Sequence, residues 1–197
     1  MRSFLRQLLY QFRYILPIWL AQLLTNWLPE NRITIRLRGL LVAPFLGTCG
    51  KHLQLARSVH FLNPHGISIG NDVYLATGCW IDGIGGLTID DEVKLSPYVV
   101  VTTSSHCFKN DSVRFGGSIS SPTRIGKGSW LAGHVVVAAG VSIGSGVIVG
   151  GNSVVSRNLP DNVFAAGAPA KVIGPRVDKE PTIFSRMDLD RLRKEGQ

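Results

Sequence analysis

The chain has 197 residues, 45% of them hydrophobic, with 22 glycines, which allows one domain with a sizeable core and argues against a disordered chain. Its formal net charge of +8 is uneven, since residues 1–60 hold eight Lys/Arg against Glu30 alone and the rest is nearly balanced. The basicity therefore belongs to the N-terminal part, and no nucleic-acid partner is expected. Cys49, Cys79 and Cys107 are too few and too far apart for a disulfide framework or a zinc site, so a reducing cytoplasm is the expected compartment.

Residues 1–28 carry Leu5, Leu8, Leu9, Phe12, Leu16, Trp19, Leu20, Leu23, Leu24 and Trp27 at helical spacing, with Arg2, Arg6, Gln7, Gln11 and Arg13 on the other side. Pro17 is expected to kink or divide this helix. The apolar run from Tyr14 to Leu24 falls short of the roughly 20 residues that span a bilayer, and Arg13 spoils a signal-peptide reading. Two readings stay open. The helix packs on its own domain or a neighbouring subunit, or it lies on the inner face of the cell membrane with its arginines on anionic lipid. Ile33 to Arg38 alternates apolar with polar or basic residues and reads as a short strand or a second basic surface.

From Ile125 the chain becomes periodic. Ile125, Leu131, Val137, Ile143, Val149 and Val155 stand six apart, each followed by a small residue, from Gly126 to Ser156. A period of six fits neither a helix face nor separate antiparallel strands. It fits a solenoid in which three hexads close a triangular coil and stacked coils share one aliphatic core. The register extends backward through Leu55, Phe61, Ile69, Leu75, Ile81, Ile89, Leu95 and Val101. The steps from 61 to 69, 81 to 89 and 101 to 125 are long, and they recur every third hexad. All three insertions are therefore expected on one edge of the prism. The largest, 102–124, should project as an arm, and loops on a rigid scaffold are where function usually sits.

His106 stands at the root of that arm, among small polar residues, and imidazole is the commonest general base near neutral pH. Asp82 lies one coil earlier on the same edge, placed either to orient the imidazole or bind a substrate hydroxyl, or only to cap its own turn. Trp80, two residues earlier, offers an aromatic ring face to a ligand. After Val155 the repeat ends, and Phe184 to Arg193 reads as a short closing helix. The expected division is 1–48, an N-terminal basic amphipathic segment; 49–173, the solenoid with its arm; and 174–197, a C-terminal tail.

The run GKGSWLAGHVVVAAGVSIGSGVIVGGNSVVSRNLPDNVFAAGAPAKVIG resembles the C-terminal half of the hexapeptide-repeat O-acetyltransferases, and CWIDGIGGLTIDDEVKLSPYVVVTTSSHC resembles those of colanic-acid type. The resemblance covers roughly residues 50–175. It implies a left-handed parallel β-helix, the handedness coming from the family and not from the spacing. It also implies a homotrimer with acetyl-CoA as co-substrate in grooves between prisms. His106 matches the family's general base, and direct attack leaves Cys107 without a covalent role. Trp130 matches an aromatic bordering the pantetheine channel, and Gly133 and Gly151 match positions lining it; a serine is common at the place of Gly133. Ser156, Arg157 and Lys171 match positions near the phosphate and nucleotide end. Ala76 stands where the maltose and galactoside branches carry asparagine, so acceptor recognition should differ from theirs. The zinc carbonic anhydrases of this fold use a close histidine pair absent around His106, and no metal is expected.

The expected activity is acetyl transfer from acetyl-CoA to a hydroxyl of a sugar or surface-polysaccharide precursor. The alternatives are N-acetylation of an amino sugar and a non-catalytic β-helical scaffold.

Overall fold

Residues 2–178 are described by a computed structural model, in which short parallel strands wind into a three-sided prism of the left-handed β-helix type. The first face stacks Thr48–Cys49, Ile67–Ile69, Leu87–Ile89, Thr123–Ile125 and Ser142–Ile143. The second stacks Gln54–Leu55, Tyr74–Leu75, Lys94–Leu95, Trp130–Leu131, Ile148–Val149 and Val163–Gly167, with Ala170–Pro175 antiparallel at its end. The third stacks His60–Leu62, Trp80–Asp82, Val100–Val101, Val136–Val137 and Val154–Val155.

The hexad aliphatics are the inward residues and lie in three straight columns. Ile69, Ile89, Ile125 and Ile143 pair in register on the first face. Leu55, Leu75, Leu95, Leu131, Val149 and Ala165 do so on the second, and Phe61, Ile81, Val101, Val137 and Val155 on the third. All of these are buried. Two serines replace apolar residues inside the coils without leaving a polar group unmet: Ser129 Oγ donates to Gly144 O and accepts from Val147 N, and Ser153 Oγ donates to Gly150 O and accepts from Gly167 N.

The N-terminal segment is a helical cap. Helices α1 (Arg2–Tyr10) and α2 (Leu16–Thr25) are joined by a π-helical turn, Gln11–Ile15. Pro17, expected to kink or divide the helix, lacks a backbone donor and crowds the carbonyl four residues back, and the wider turn just before it makes room. The strand expected over Ile33 to Arg38 is not there. A third helix, α3 (Arg32–Val42), takes its place, started by a capping box in which Asn31 Oδ1 accepts from Thr34 N and Thr34 Oγ1 accepts from Asn31 N. A strong cap and the burial of Arg38 outweigh a six-residue alternation. Arg38, 2% exposed, pairs with Glu30 Oε1 at 3.0 Å and donates to the carbonyls of Thr25 and Leu28, which ties α3 to the end of α2. At Gly39, α3 rests directly on the backbone of Leu53 in the first coil, leaving no space for a Cβ. The helix expected over Phe184 to Arg193 lies outside the described residues.

Leu131 sits mid-column on the second face with no exposed surface. Leu131→Ala should cost about 2–5 kcal/mol of stability, read as a lower denaturant midpoint. Burial pushes the Cys79 thiol up to about 11, against a partly offsetting effect of backbone hydrogen bonds. The folded state therefore favours the neutral thiol, and its stabilising effect is complete below the ordinary value of 9.0. Relative to Cys79→Ala, the parent should lose thermal stability as pH rises from there toward about 11.

Candidate active site on the interrupted edge

All three long steps connect the third face to the first, so the loops around Pro64–Gly66, Ile84–Gly86 and the arm stack on one edge. They pack backbone to backbone. A Cβ on Gly85 would overlap Thr103 O and crowd Ser121 N. Gly85 N instead donates to Thr103 Oγ1 at 2.9 Å, and Ser121 N donates to Thr103 O. The arm is a two-stranded antiparallel ribbon, Ser104–His106 with Ser118–Ser120, in which His106 faces Ser118 across the pair.

His106 is exposed on this ribbon and lines a cavity of about 410 Å³ with Val113, Arg114, Gly117 and Ser118. Asp82 is buried below it, 4% exposed. Its Oδ1 accepts from Ile84 N at 2.9 Å, and its Oδ2 accepts from Thr103 N at 3.2 Å and Ser104 Oγ at 3.1 Å. The carboxylate thus caps its turn and also grips the root of the arm two residues before His106. Among the described residues no hydrogen bond joins it to the imidazole, so its hold on His106 runs through Ser104.

The remaining candidates fall on the interrupted edge and on the second face with its corner to the third. Ser156 and Arg157 are exposed just past the third face, on the same edge as His106. Gly133 and Gly151 are stacked at the corner between the second and third faces, where Asn152 N donates to Gly133 O at 3.0 Å. A Cβ on Gly133 would meet only Pro97 O, at 3.5 Å, so the backbone does not demand glycine there. Lys171 is exposed on the final strand, paired with Ala166. Trp130 points outward from the second face, 46% exposed, its Nε1 donating to Ser96 Oγ at 2.8 Å. It walls a cavity of about 790 Å³ with Ile148, Phe164 and Arg176. Trp80 lies on the third face against His60, ring centroids 5.5 Å apart, and His134 stacks on Tyr98 at 5.1 Å.

One chain therefore places His106, Asp82, Ser156 and Arg157 on one edge, the latter pair two coils beyond the arm, and separately places Trp130 and Lys171 on the second face and Gly133 and Gly151 at its corner with the third, with the third face between the sets. Sequence reasoning missed Arg114 and Ser104 beside His106, and Phe164 and Arg176 beside Trp130. The first pair lies inside an insertion without periodicity. The second lies past the end of the hexads, in and just after the hairpin of Val163–Gly167 and Ala170–Pro175, which carries no six-residue repeat to mark it. Among the described residues no group of three or more His, Cys, Asp or Glu is placed to hold a metal ion.

The triangular coil of hexads is shared with known proteins. The family described as bacterial transferase hexapeptide (six repeats) matches residues 122–157. A galactoside O-acetyltransferase of Escherichia coli (strain K12) is 31% identical over 140 residues, 71% of this chain and 69% of the relative. A putative colanic acid biosynthesis acetyltransferase, WcaF, of the same organism is 31% identical over 163 residues, 83% of this chain and 88% of the relative. A solved galactoside acetyltransferase in complex with coenzyme A superposes with a TM-score of 0.73 at 26% identity, covering 86% of this chain and 88% of that one. The chain belongs to the hexapeptide-repeat acetyltransferase family, and it is an acyltransferase.

Replacing Asp82 tests its grip on the arm. In Asp82→Ala the amides of Ile84 and Thr103 lose their acceptors, and their hydrogen exchange should accelerate at least about fivefold, the factor of a lost 1–3 kcal/mol bond.

Proposed function

We propose that the protein is an acetyl-CoA-dependent O-acetyltransferase that acts on a hydroxyl of a sugar or surface-polysaccharide precursor, with His106 as general base. The observation that carries this reading is His106 itself, exposed in a cavity built by the long insertion of the interrupted edge, in a chain whose relatives include a galactoside O-acetyltransferase and a putative colanic acid biosynthesis acetyltransferase. The neutral imidazole takes the acceptor hydroxyl proton as that oxygen attacks the thioester carbonyl. The tetrahedral intermediate collapses, the acetyl group stays on the acceptor oxygen, and the departing thiolate recovers the proton from the imidazolium. Cys107 carries no covalent step.

The split between the two sets of candidate residues supports a homotrimer, in which the His106 edge of one prism faces the Trp130 side of the next. The third face between the sets is apolar outward, with Trp80, Val100, Val136 and Val154 in one line, a surface suited to burial between copies. In that groove Trp130 would flank pantetheine, Gly133 and Gly151 would let it approach the backbone, and Arg157, Lys171 and Arg176 would meet the phosphates. The coenzyme A complex of the solved galactoside acetyltransferase supports acetyl-CoA as the donor. We place the reaction in the cytoplasm, where that donor is made.

His106→Ala should lower kcat for acetyl transfer by about 10²- to 10⁴-fold while the thermal shift given by acetyl-CoA stays within a degree or so. Unchanged turnover in His106→Ala, or a product acetylated on nitrogen, would overturn the assignment.

A further inference from the structure

The N-terminal cap packs on the prism with the wrong side for an ordinary amphipathic helix. Its narrow inner face is made by Tyr10 and Tyr14, which pack on His65 with ring centroids 5.5 and 5.6 Å away, and by Ile18, Ala21 and Thr25, which are buried. Gln22 Nε2 also donates to Val59 O. The wide apolar stripe faces outward. Leu5, Leu9, Phe12, Trp19, Leu23, Leu24 and Trp27 are each more than half exposed. The third helix also exposes apolar side chains, Ile33 at 78% and Leu40 at 71%. An apolar patch of this extent on a folded chain marks a contact surface.

Its charge says what it contacts. Arg6, Arg13, Arg32 and Arg36 are exposed along these helices. The cap's single acid, Glu30, is already occupied by Arg38 and by Arg57. A second copy of the cap would bring the same arginines with no free carboxylate to meet them. A bilayer bearing acidic headgroups supplies both what the apolar stripe lacks and what the arginines lack, with Trp19 and Trp27 suited to the boundary between them. Among the described residues no helix is long and apolar enough to cross a membrane, so the contact is with the surface.

We propose that α1, α2 and α3 together form a docking face for an anionic lipid surface. The arginines reach the headgroups while the apolar stripe enters the acyl boundary, and the prism is held at the membrane by its first coil. His65, on which the cap rests, belongs to the first loop of the interrupted edge, and the arm with His106 emerges two coils further along it. At about 4.8 Å per coil that is roughly 10 Å, within reach of an acceptor carried at the membrane surface.

The full-length protein should float with vesicles of phosphatidylcholine plus phosphatidylglycerol and far less with phosphatidylcholine alone, with a blue shift of tryptophan emission. Binding should weaken as salt rises, and fall about fivefold for each of Arg6→Gln, Arg13→Gln and Arg36→Gln. The double variant Leu9→Ser/Leu23→Ser should lose more than about tenfold, with its thermal transition and its acetyl-CoA shift retained. The proposal is overturned by absence of binding to the anionic vesicles, by equal binding to neutral ones, or by variants that alter the oligomer mass and leave vesicle binding intact. Because acetyl-CoA binding is read separately, the docking face and the catalytic assignment stand or fall independently.

Discussion

Each coil of the prism must return the chain to register with the coil before it, because every strand residue hydrogen-bonds only to its counterparts one coil away. Trp130 N donates to Val147 O and Val136 N donates to Ser153 O on this rule. A slip of one residue would turn the inward aliphatic outward on that face and on every later one. Extra residues are therefore tolerated only at a corner. Once one corner is opened, later insertions find their best packing on the same edge, as Gly85 against Thr103 illustrates. The stacking of all three insertions on one edge follows from this constraint on the core.

The arm owes little to the core. Its strands are short and exposed, and what fixes its root is a set of polar contacts, chiefly those of Asp82, one coil earlier, with Thr103 and Ser104 and that of Thr123 Oγ1 with Thr102 O across the root itself. A buried carboxylate is costly unless its oxygens are met, and here three donors meet them. The arrangement keeps the imidazole on a defined ribbon while leaving it open to solvent and to an acceptor. The aliphatic columns supply rigidity and Asp82 transmits it to His106.

The coenzyme side of the proposed site is built differently. Trp130, Gly133 and Gly151 take their places from the repeat itself, as outward or corner residues of regular coils, whereas Lys171 and Arg176 come from the hairpin that closes the last coil. Both ends of the solenoid are thus put to use. The terminal hairpin borders the cavity beside Trp130, and the N-terminal helices cover the first coil while turning an apolar and basic surface outward.

By itself the sequence determined the hexad register, the burial of each sixth aliphatic, the grouping of the long steps on one edge and the placing of His106 at the arm, because these depend only on counting along the chain. Short alternation misled at Ile33 to Arg38, where six residues carry too little signal to compete with a capping box at Asn31 and an ion pair between Arg38 and Glu30. The tertiary structure alone decided that Asp82 grips the arm and makes no bond to the imidazole, that Arg114 shares the histidine's cavity, and that the candidate residues divide between the interrupted edge and the second face with its corner. It also decided that the N-terminal stripe faces away from the prism. Each of these depends on direction in space, which side of a coil or helix meets which neighbour, and a linear pattern records that a stripe exists without recording what it faces.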